Sequence, residues 1–480
     1  MAIIEISEIE DHETFRNELA SIAHDGRRKW IYARKPSGKF TQYRTYLSYV
    51  LLAFLFFAPY LKINNHQFML FNIIERKFVI FGIPFWTQDF YLALLLILFL
   101  LVTLVVYTSI FGRIWCGWLC PQTVFMEMIF RKIEFAIEGS PKQQITLDNG
   151  AWTKEKVWKK GLKHSIFFAI SFIIANTFLS YIIGSDQLWK IILDPPQQHL
   201  VGLTAITVFS IVFYAVFARF REQACIIVCP YGRYQSALVD EDTIAVTYDF
   251  KRGEPRGKFT KEDKAAQLRG EKLHDKGDCI DCHQCVTVCP TGIDIRNGIQ
   301  LECVNCTACI DACDDVMTKI QKPKGLIRYA SNSSIKDGKK IHLSARSKAY
   351  GVVWLLVMTV LVTLFMNRKM LHVLVLRQPG TTFAVMSHDK YANFFHVQLL
   401  NKKNNPKEVS MKIISPQNGE LKPLSDLVHI NGQQEKEGRM MIIFPKSSLS
   451  PDGSTDVVIE VSENGTIADY VKTKFISPNK

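Results

Sequence analysis

The 480-residue chain has no glycine-rich phosphate loop: neither a Walker motif nor G-x-G-x-x-G occurs in it. Such loops supply the backbone amides that cradle phosphate, so their absence argues against an ATP-driven pump and against a nicotinamide site. Cysteine is missing from both ends, and all twelve cysteines lie between Cys116 and Cys313. That clustering, in so long a chain, excludes a disulfide-stapled secreted domain. Charge is scarce at 21%, against 48% hydrophobic residues, which excludes a disordered chain. Mean hydropathy of +0.06 is high for a wholly soluble protein and low for a polytopic carrier, so a hybrid of membrane helices and polar domains is expected. The length suggests about three domains. The formal charge of +13 fits nucleic acid, anionic lipid or loops held at a cytoplasmic face.

Five apolar runs free of charge are expected to cross a bilayer: Thr45–Leu61, Phe90–Gly112, Ile166–Ile183, Leu200–Ala218 and Ala349–Met366. A span needs about 20 apolar residues, with about 17 as the lower limit. A soluble core rarely holds five such runs. The first begins after 44 mostly polar residues and is followed by no small-residue cleavage site, so it is not a cleavable signal.

Loop charge sets the expected orientation. Residues 1–44 carry eight Lys/Arg, 62–89 three, 113–161 eight, 184–199 only Lys190, and 219–348 more than twenty. The alternation places the N-terminus and the long fourth loop in the cytoplasm and residues 367–480 outside. Arg368 and Lys369 oppose this weakly. The outer segment shows alternating runs at Val373–Leu376, Phe395–Leu399, Val409–Ile413, Met440–Phe444 and Val457–Val461, separated by turn signals such as Pro416-Gln417-Asn418-Gly419. It reads as an immunoglobulin-like sandwich. His372, His388 and His396, with Met370 and Met386, are conceivable copper ligands, but no tight spacing links them and scattered surface and core residues are the favoured reading.

The chemistry lies in the cysteines. Two tetrads follow one another, Cys279-x2-Cys282-x2-Cys285-x3-Cys289-Pro290 and Cys303-x2-Cys306-x2-Cys309-x3-Cys313. Three thiolates at i, i+3 and i+6 wrap one corner of a cubane, and the fourth is carried toward the other cluster. One [4Fe–4S] cluster is therefore expected on Cys279, Cys282, Cys285 and Cys313, and a second on Cys303, Cys306, Cys309 and Cys289. Zinc sites would instead present separated CxxC pairs. Asp281 and His283, inside the first tetrad, are expected to be outward-facing spacers. Eight clustered thiols suit a reducing compartment.

The other four cysteines form two C-x3-C-P motifs, Cys116-Gly-Trp-Leu-Cys120-Pro121 after the second span and Cys225-Ile-Ile-Val-Cys229-Pro230 after the fourth. Spans 1–2 and 3–4 thus look like an internal repeat. If the helix continues through each motif, i and i+4 place both sulfurs on one face, and the four thiolates converge at one membrane edge. Soft thiolates suit Cu(I), an iron–sulfur cluster or zinc; buried structural cysteine is the bland alternative. Arg113, Arg219 and Arg221 either stabilise thiolates by charge or anchor to lipid headgroups. The segment 319–348 holds nine Lys/Arg and one acid, Asp337, which suits anionic lipid; no reading module points to nucleic acid. Residues 251–278 read as a charged linker, and Trp86, Trp115 and Trp118 as an interfacial belt.

CGWLCPQ at 116–122, CIIVCPYGRYQ at 225–235 and the tandem cysteine stretch at 278–314, with one more span and an outer immunoglobulin-like domain, resemble the CcoG family, also called FixG or RdxA. The resemblance runs from about Arg34 to the end. It implies an accessory protein of cbb-type cytochrome c oxidase in a bacterial inner membrane, with a periplasmic C-terminal domain, that reduces Cu(II) to Cu(I) during assembly of the oxidase's copper centre. The expected fold is an α-helical membrane protein of five transmembrane helices with an inserted two-cluster ferredoxin-like domain. Its expected parts are a cytoplasmic N-terminal segment 1–44, a membrane region 45–235, the ferredoxin-like domain with its basic segment 236–348, a fifth span 349–366 and the all-β domain 367–480. Expected partners are the lipid bilayer, copper ion, oxidase assembly factors and an electron donor. Cys116, Cys120, Cys225 and Cys229 are the expected reaction site, holding copper or a further cluster. Two rival readings stand: a quinol-linked electron-transfer subunit with a third cluster at those pairs, and a non-enzymatic assembly scaffold.

Overall fold

The computed structural model describes all residues except 1–19, 23–26, 64–65, 74–76, 86–88, 264–268, 270–275, 339, 341, 369–370, 381, 388, 403–404, 427, 433, 464 and 479–480. The chain divides into two compact units: residues 1–62, 67–81 and 87–361, and residues 63–66, 82–86 and 362–480.

Among the described residues the helices that frame the argument are α1 Lys39–Phe57, α2 Phe90–Phe111, α3 Ile114–Trp118, α4 Pro121–Phe125, α5 Arg131–Ile137, α6 Pro141–Asn149, α7 Lys154–Ile183, α8 Ser185–Leu193, α9 Leu200–Ala215, α10 Pro230–Leu238, α11 Ala308–Lys319 and α12 Ala345–Met366. Among the described residues four stretches are long and apolar enough to cross a membrane: Phe90–Phe111, Lys154–Ile183, Leu200–Phe220 and Ala345–Met366. The remaining expected run, Thr45–Leu61, is shifted. α1 starts at Lys39, so its first two turns carry Lys39 and Arg44, and a 3₁₀ turn with Pro59 closes it. The segment 113–161, expected as a loop, is instead helical through α3 to α6, and α7 begins twelve residues before its apolar run. A π turn, Met126–Phe130, seats Phe130 between Phe167 of α7 (ring centroids 4.8 Å) and Phe217 of a second π turn (4.6 Å, stacked). This aromatic knot is the core of the helical layer.

Buried charges sit at one end of that knot. Glu134 accepts two bonds from Arg221 at 3.0 and 2.8 Å, and Lys163 meets Glu138 at 2.9 Å. Trp30 lies between the guanidinium groups of Arg28 (4.4 Å) and Arg221 (4.6 Å). Glu134, Glu138, Lys163 and Arg221 each have an opposite charge at hand, as low-dielectric surroundings require.

The cysteine-rich part of the first unit is built on a two-stranded ladder, β1 Ala245–Tyr248 with β2 Ile327–Ala330, packed against α11. The second unit is all β. One sheet orders β7 (Glu420–Pro423), β9 (Glu435–Pro445), β5 (Lys390–Asn401) and β3 (Leu371–Arg377), with β4 (Ala384–Ser387) on β5. The other orders β8 (His429–Ile430), β6 (Lys407–Ser415), β10 (Ser454–Glu463) and β11 (Thr466–Ile476). Alternate residues face inward: Phe395, Val397 and Leu399 meet Val457, Ile459, Val461 and Phe475 in one core. All five expected strands lie within longer ones. β4, β7, β8 and β11 add to them.

Candidate metal–sulfur site

The two tetrads fold as copies of one loop. In the first, Asp281 and His283, on either side of Cys282, both have φ +53°. In the second, Asn305 and Thr307, on either side of Cys306, have φ +53° and +65°. Alternating left- and right-handed residues turn successive N–H groups toward one concavity, the backbone nest that accepts anions and iron–sulfur groups. Each loop closes a small cavity. Cys279, Cys282, Cys285 and Cys313 line one; Cys289, Cys303, Cys306 and Cys309 line the other, with Cys285 also at its wall. Donor set and backbone together fit a [4Fe–4S] group in each cavity. Among the described residues no three His, Cys, Asp or Glu groups are set to hold a single metal ion. Asp281 and His283 are solvent-facing and engage Arg296 and each other. Burial first, then the neighbouring thiols, pushes Cys313 up to about 12, the neighbours being Cys285, Cys282 and Cys279. Cys303 is pushed to about 12 by burial, with Cys289 and Cys306 adding to it and Arg113 opposing.

The C-x3-C-P pairs are also copies. Gly112 (φ 57°, ψ −133°) ends α2, and Arg221 (φ 52°, ψ −123°) ends the π turn after α9. Each stands four residues before its first cysteine. The expected continuous helix through each motif is not what forms. Cys120 (ψ 125°) and Cys229 (ψ 114°) are extended, because proline at the next position disfavours helical backbone before it and starts a new helix instead. The two pairs are electrostatic neighbours across this break, Cys120 and Cys116 each bearing on Cys225. Cys225 is pushed up to about 12 by burial, with Cys120, Cys116 and Cys229 adding to it.

Of the three flanking arginines, Arg113 alone reaches thiols. It is buried, donates to the Leu301 carbonyl, and lies beside both Cys116 and Cys303. Arg221 is engaged by Glu134, and Arg219 is exposed. Three residues at this site were given no role in the sequence reading, although Gly117 and Gln235 lie inside the quoted C-x3-C-P stretches. Buried Arg44 donates to the carbonyls of Gly117 and Cys306, each at 3.0 Å. Gln235, fully buried, donates to Cys116 Sγ at 3.2 Å. Gly117 lies so close to the second tetrad that a Cβ there would stand 2.4 Å from the Val304 carbonyl oxygen. A charge set at the mouth of a span was the only hint of Arg44.

The outer histidines do not converge. His372 pairs across from Leu400, and His396 from Leu376. They are therefore four positions apart on the β3–β5 ladder, about 13 Å. His396 faces Glu437 at 3.3 Å, and Met386 is exposed. His388, Met370 and Trp86 lie outside the described residues.

Apolar helices, paired cysteine loops and an all-β unit define a membrane-associated iron–sulfur electron-transfer protein. The comparisons agree. A family profile described as a 4Fe-4S dicluster domain matches residues 220–332, one described as a 4Fe-4S binding domain matches 92–138, and one described as the IG-like fold at the C-terminal of FixG matches 361–478. The chain is 36% identical to protein RdxA of Cereibacter sphaeroides, covering 77% of this chain and 79% of that one. It is 31% identical to nitrogen fixation protein FixG of Rhizobium meliloti, covering 91% and 87%. A solved FixG-related protein from Vibrio parahaemolyticus aligns with 23% of this chain at 13% identity and TM-score 0.21, a likeness too slight to bear on the fold. The chain belongs to the FixG/RdxA family.

Proposed function

We propose that this protein passes electrons from two [4Fe–4S] clusters to a four-thiol site at the membrane edge, where Cu(II) is reduced to Cu(I) for assembly of the copper centre of a cbb-type oxidase. Cys279, Cys282, Cys285 and Cys313 hold one cluster; Cys303, Cys306, Cys309 and Cys289 hold the other. Bound clusters supply one-electron storage at low potential. Cys116, Cys120, Cys225 and Cys229 bind the copper substrate, whose reduced form soft thiolates favour. The observation that carries this reading is continuity. Cys116 packs against the apolar cluster containing Cys306 and Val304, and Arg44 ties Gly117 to Cys306. Sulfur sites in contact through buried residues make a short path that excludes water. The membrane arrangement that goes with it has five spans in an inner membrane, the N-terminus and residues 236–348 in the cytoplasm, and residues 367–480 in the periplasm.

A second reading has its own support. The 4Fe-4S profiles span both pairs, Cys116 and Cys120 in one and Cys225 and Cys229 in the other, so the four thiols would hold a third cluster. Anaerobic purification with iron and sulfide counted separates the two: about eight irons per chain for two clusters, about twelve for three. Cys120→Ser or Cys229→Ser should abolish Cu(I) formation from chemically reduced protein while both ferredoxin signals persist. An unchanged Cu(I) yield refutes the copper reading, and loss of a third iron–sulfur signal establishes the rival.

A further inference from the structure

Of the twelve cysteines, Cys282 alone is exposed; the other eleven are buried or half-buried. The loop around it carries unmatched positive charge. Arg34 donates to the Gln284 side chain at 2.7 Å, and its N–H donates to the Thr287 carbonyl at 2.7 Å. The Gly257 N–H donates to the Cys279 carbonyl at 3.2 Å, which sets Lys258 beside the first tetrad. Lys324 is held there too, since its carbonyl accepts from Arg252 at 3.0 Å and the Arg252 carbonyl accepts from Asp278 N–H at 2.9 Å. Of the nearby acids, Asp314 accepts from the Gly325 N–H at 2.9 Å and has no cation partner among the described residues; three others are matched. Asp278 faces Arg252 (2.5 Å) and Lys322 (3.3 Å), Asp281 faces Arg296 and His283, and Glu254 faces Arg256 (2.6 Å). Among the described residues Arg34, Lys258 and Lys324 are exposed and have no carboxylate partner.

We infer that the face around Cys282 is the docking surface for a small acidic one-electron carrier protein, with Arg34, Lys258 and Lys324 as its electrostatic rim. This rests on the first tetrad holding a cluster, as proposed above. An exposed ligand sulfur is the point at which an outside redox group comes nearest, whereas the second tetrad and the C-x3-C-P pairs lie behind protein. One electron leaves the carrier, which is oxidised by one unit. It enters the metal–sulfur group on the first tetrad, which is reduced by one unit. No heavy-atom bond forms or breaks. The rim raises the encounter rate by steering opposite charge, an effect that salt screens. A lipid surface would use the same cations but has no use for the exposed sulfur.

The test uses the full chain with its clusters reconstituted, and reduced flavodoxin, an acidic flavin protein, as probe. Stopped-flow absorbance gives the second-order rate of cluster reduction for the parent, for Arg34→Gln/Lys258→Gln/Lys324→Gln, and for the matching triple Glu variant. Photoreduced 5-deazariboflavin serves as the uncharged reductant. The Gln variant should be slower than the parent at low ionic strength, and the Glu variant slower by at least about tenfold, with all three converging at about 0.5 M salt. Rates with deazariboflavin and the EPR signals of both clusters should be unchanged. Equal flavodoxin rates, or equal slowing with deazariboflavin, overturn the proposal. So does a variant altered only in its binding to phosphatidylglycerol vesicles. A parent without the first-tetrad EPR signal overturns the cluster reading beneath it instead.

Discussion

Replacing Gly117 by alanine adds a single methyl group at the point where the first C-x3-C-P pair meets the second tetrad. The new Cβ would lie 2.4 Å from Val304 O and 3.0 Å from both the carbonyl carbon and oxygen of Asn305. Ordinary contact begins at 3.4 Å, so the two segments must part by about 1.0 Å (3.4 − 2.4). The obstructing atoms are backbone, fixed by the nest around Cys306, and no side chain can swing away. Overpacking of this kind costs about 1–3 kcal/mol. It also stretches the Arg44 bonds to Gly117 and Cys306, each worth about 1.5–3 kcal/mol for a charged donor. All twelve cysteines remain. Metal and sulfide content of the tetrads should therefore be unchanged, while transfer from the tetrads to the pairs slows by about 10–100-fold, the scale of a 1 Å misplacement. The assay is rapid-mixing absorbance on prereduced protein with Cu(II), against Gly161→Ala as control. Nothing lies within 4 Å of a Cβ at Gly161 of α7, so that variant should behave as the parent or slightly more stably. Transfer at the parental rate in Gly117→Ala, with midpoint potentials unmoved, would refute the contact as the route.

Cys289→Ser and Cys303→Ser should damage the same cluster, because the fourth ligand of each tetrad crosses over; EPR of the two variants shows whether they erase one signal or two, and two sinks the crossed assignment. A periplasm-active reporter should work after Lys480 and stay silent near Gly270, and activity at both points would dismiss the five-span arrangement. In metal-free protein Cys225 should resist alkylation until the pH nears about 12, since burial holds it neutral. The unfolded chain ionises near the usual thiol value of about 8.5, so the folded state's advantage is full below that pH and is lost as pH rises from there toward 12; mass spectrometry of iodoacetamide adducts and urea midpoints against pH check both, and rapid labelling of Cys225 at pH 8 contradicts the burial argument.

The sequence by itself determined whatever is written in near neighbours. Cysteines at i, i+3 and i+6 require a loop that wraps, and the paired left-handed residues at 281/283 and 305/307 supply it. The C-x3-C-P motifs announced a repeat, and proline at 121 and 230 sets where each helix restarts. Period-two alternation marked the strands of the sandwich because each face meets one environment. Helix ends were less legible: α1 begins before its apolar run, where Asp311, about 270 residues away, accepts from the first free N–H groups at Phe40 and Thr41 (3.1 and 2.7 Å). Only the tertiary structure decided which charges are working parts. Arg113, Arg219 and Arg221 look alike in the chain, yet one faces sulfur, one faces solvent and one faces Glu134. The outer histidines look like a set, yet their places on the β3–β5 ladder hold them apart. Burial and charge pairing depend on partners distant in sequence, and such distances are fixed only when the chain closes on itself.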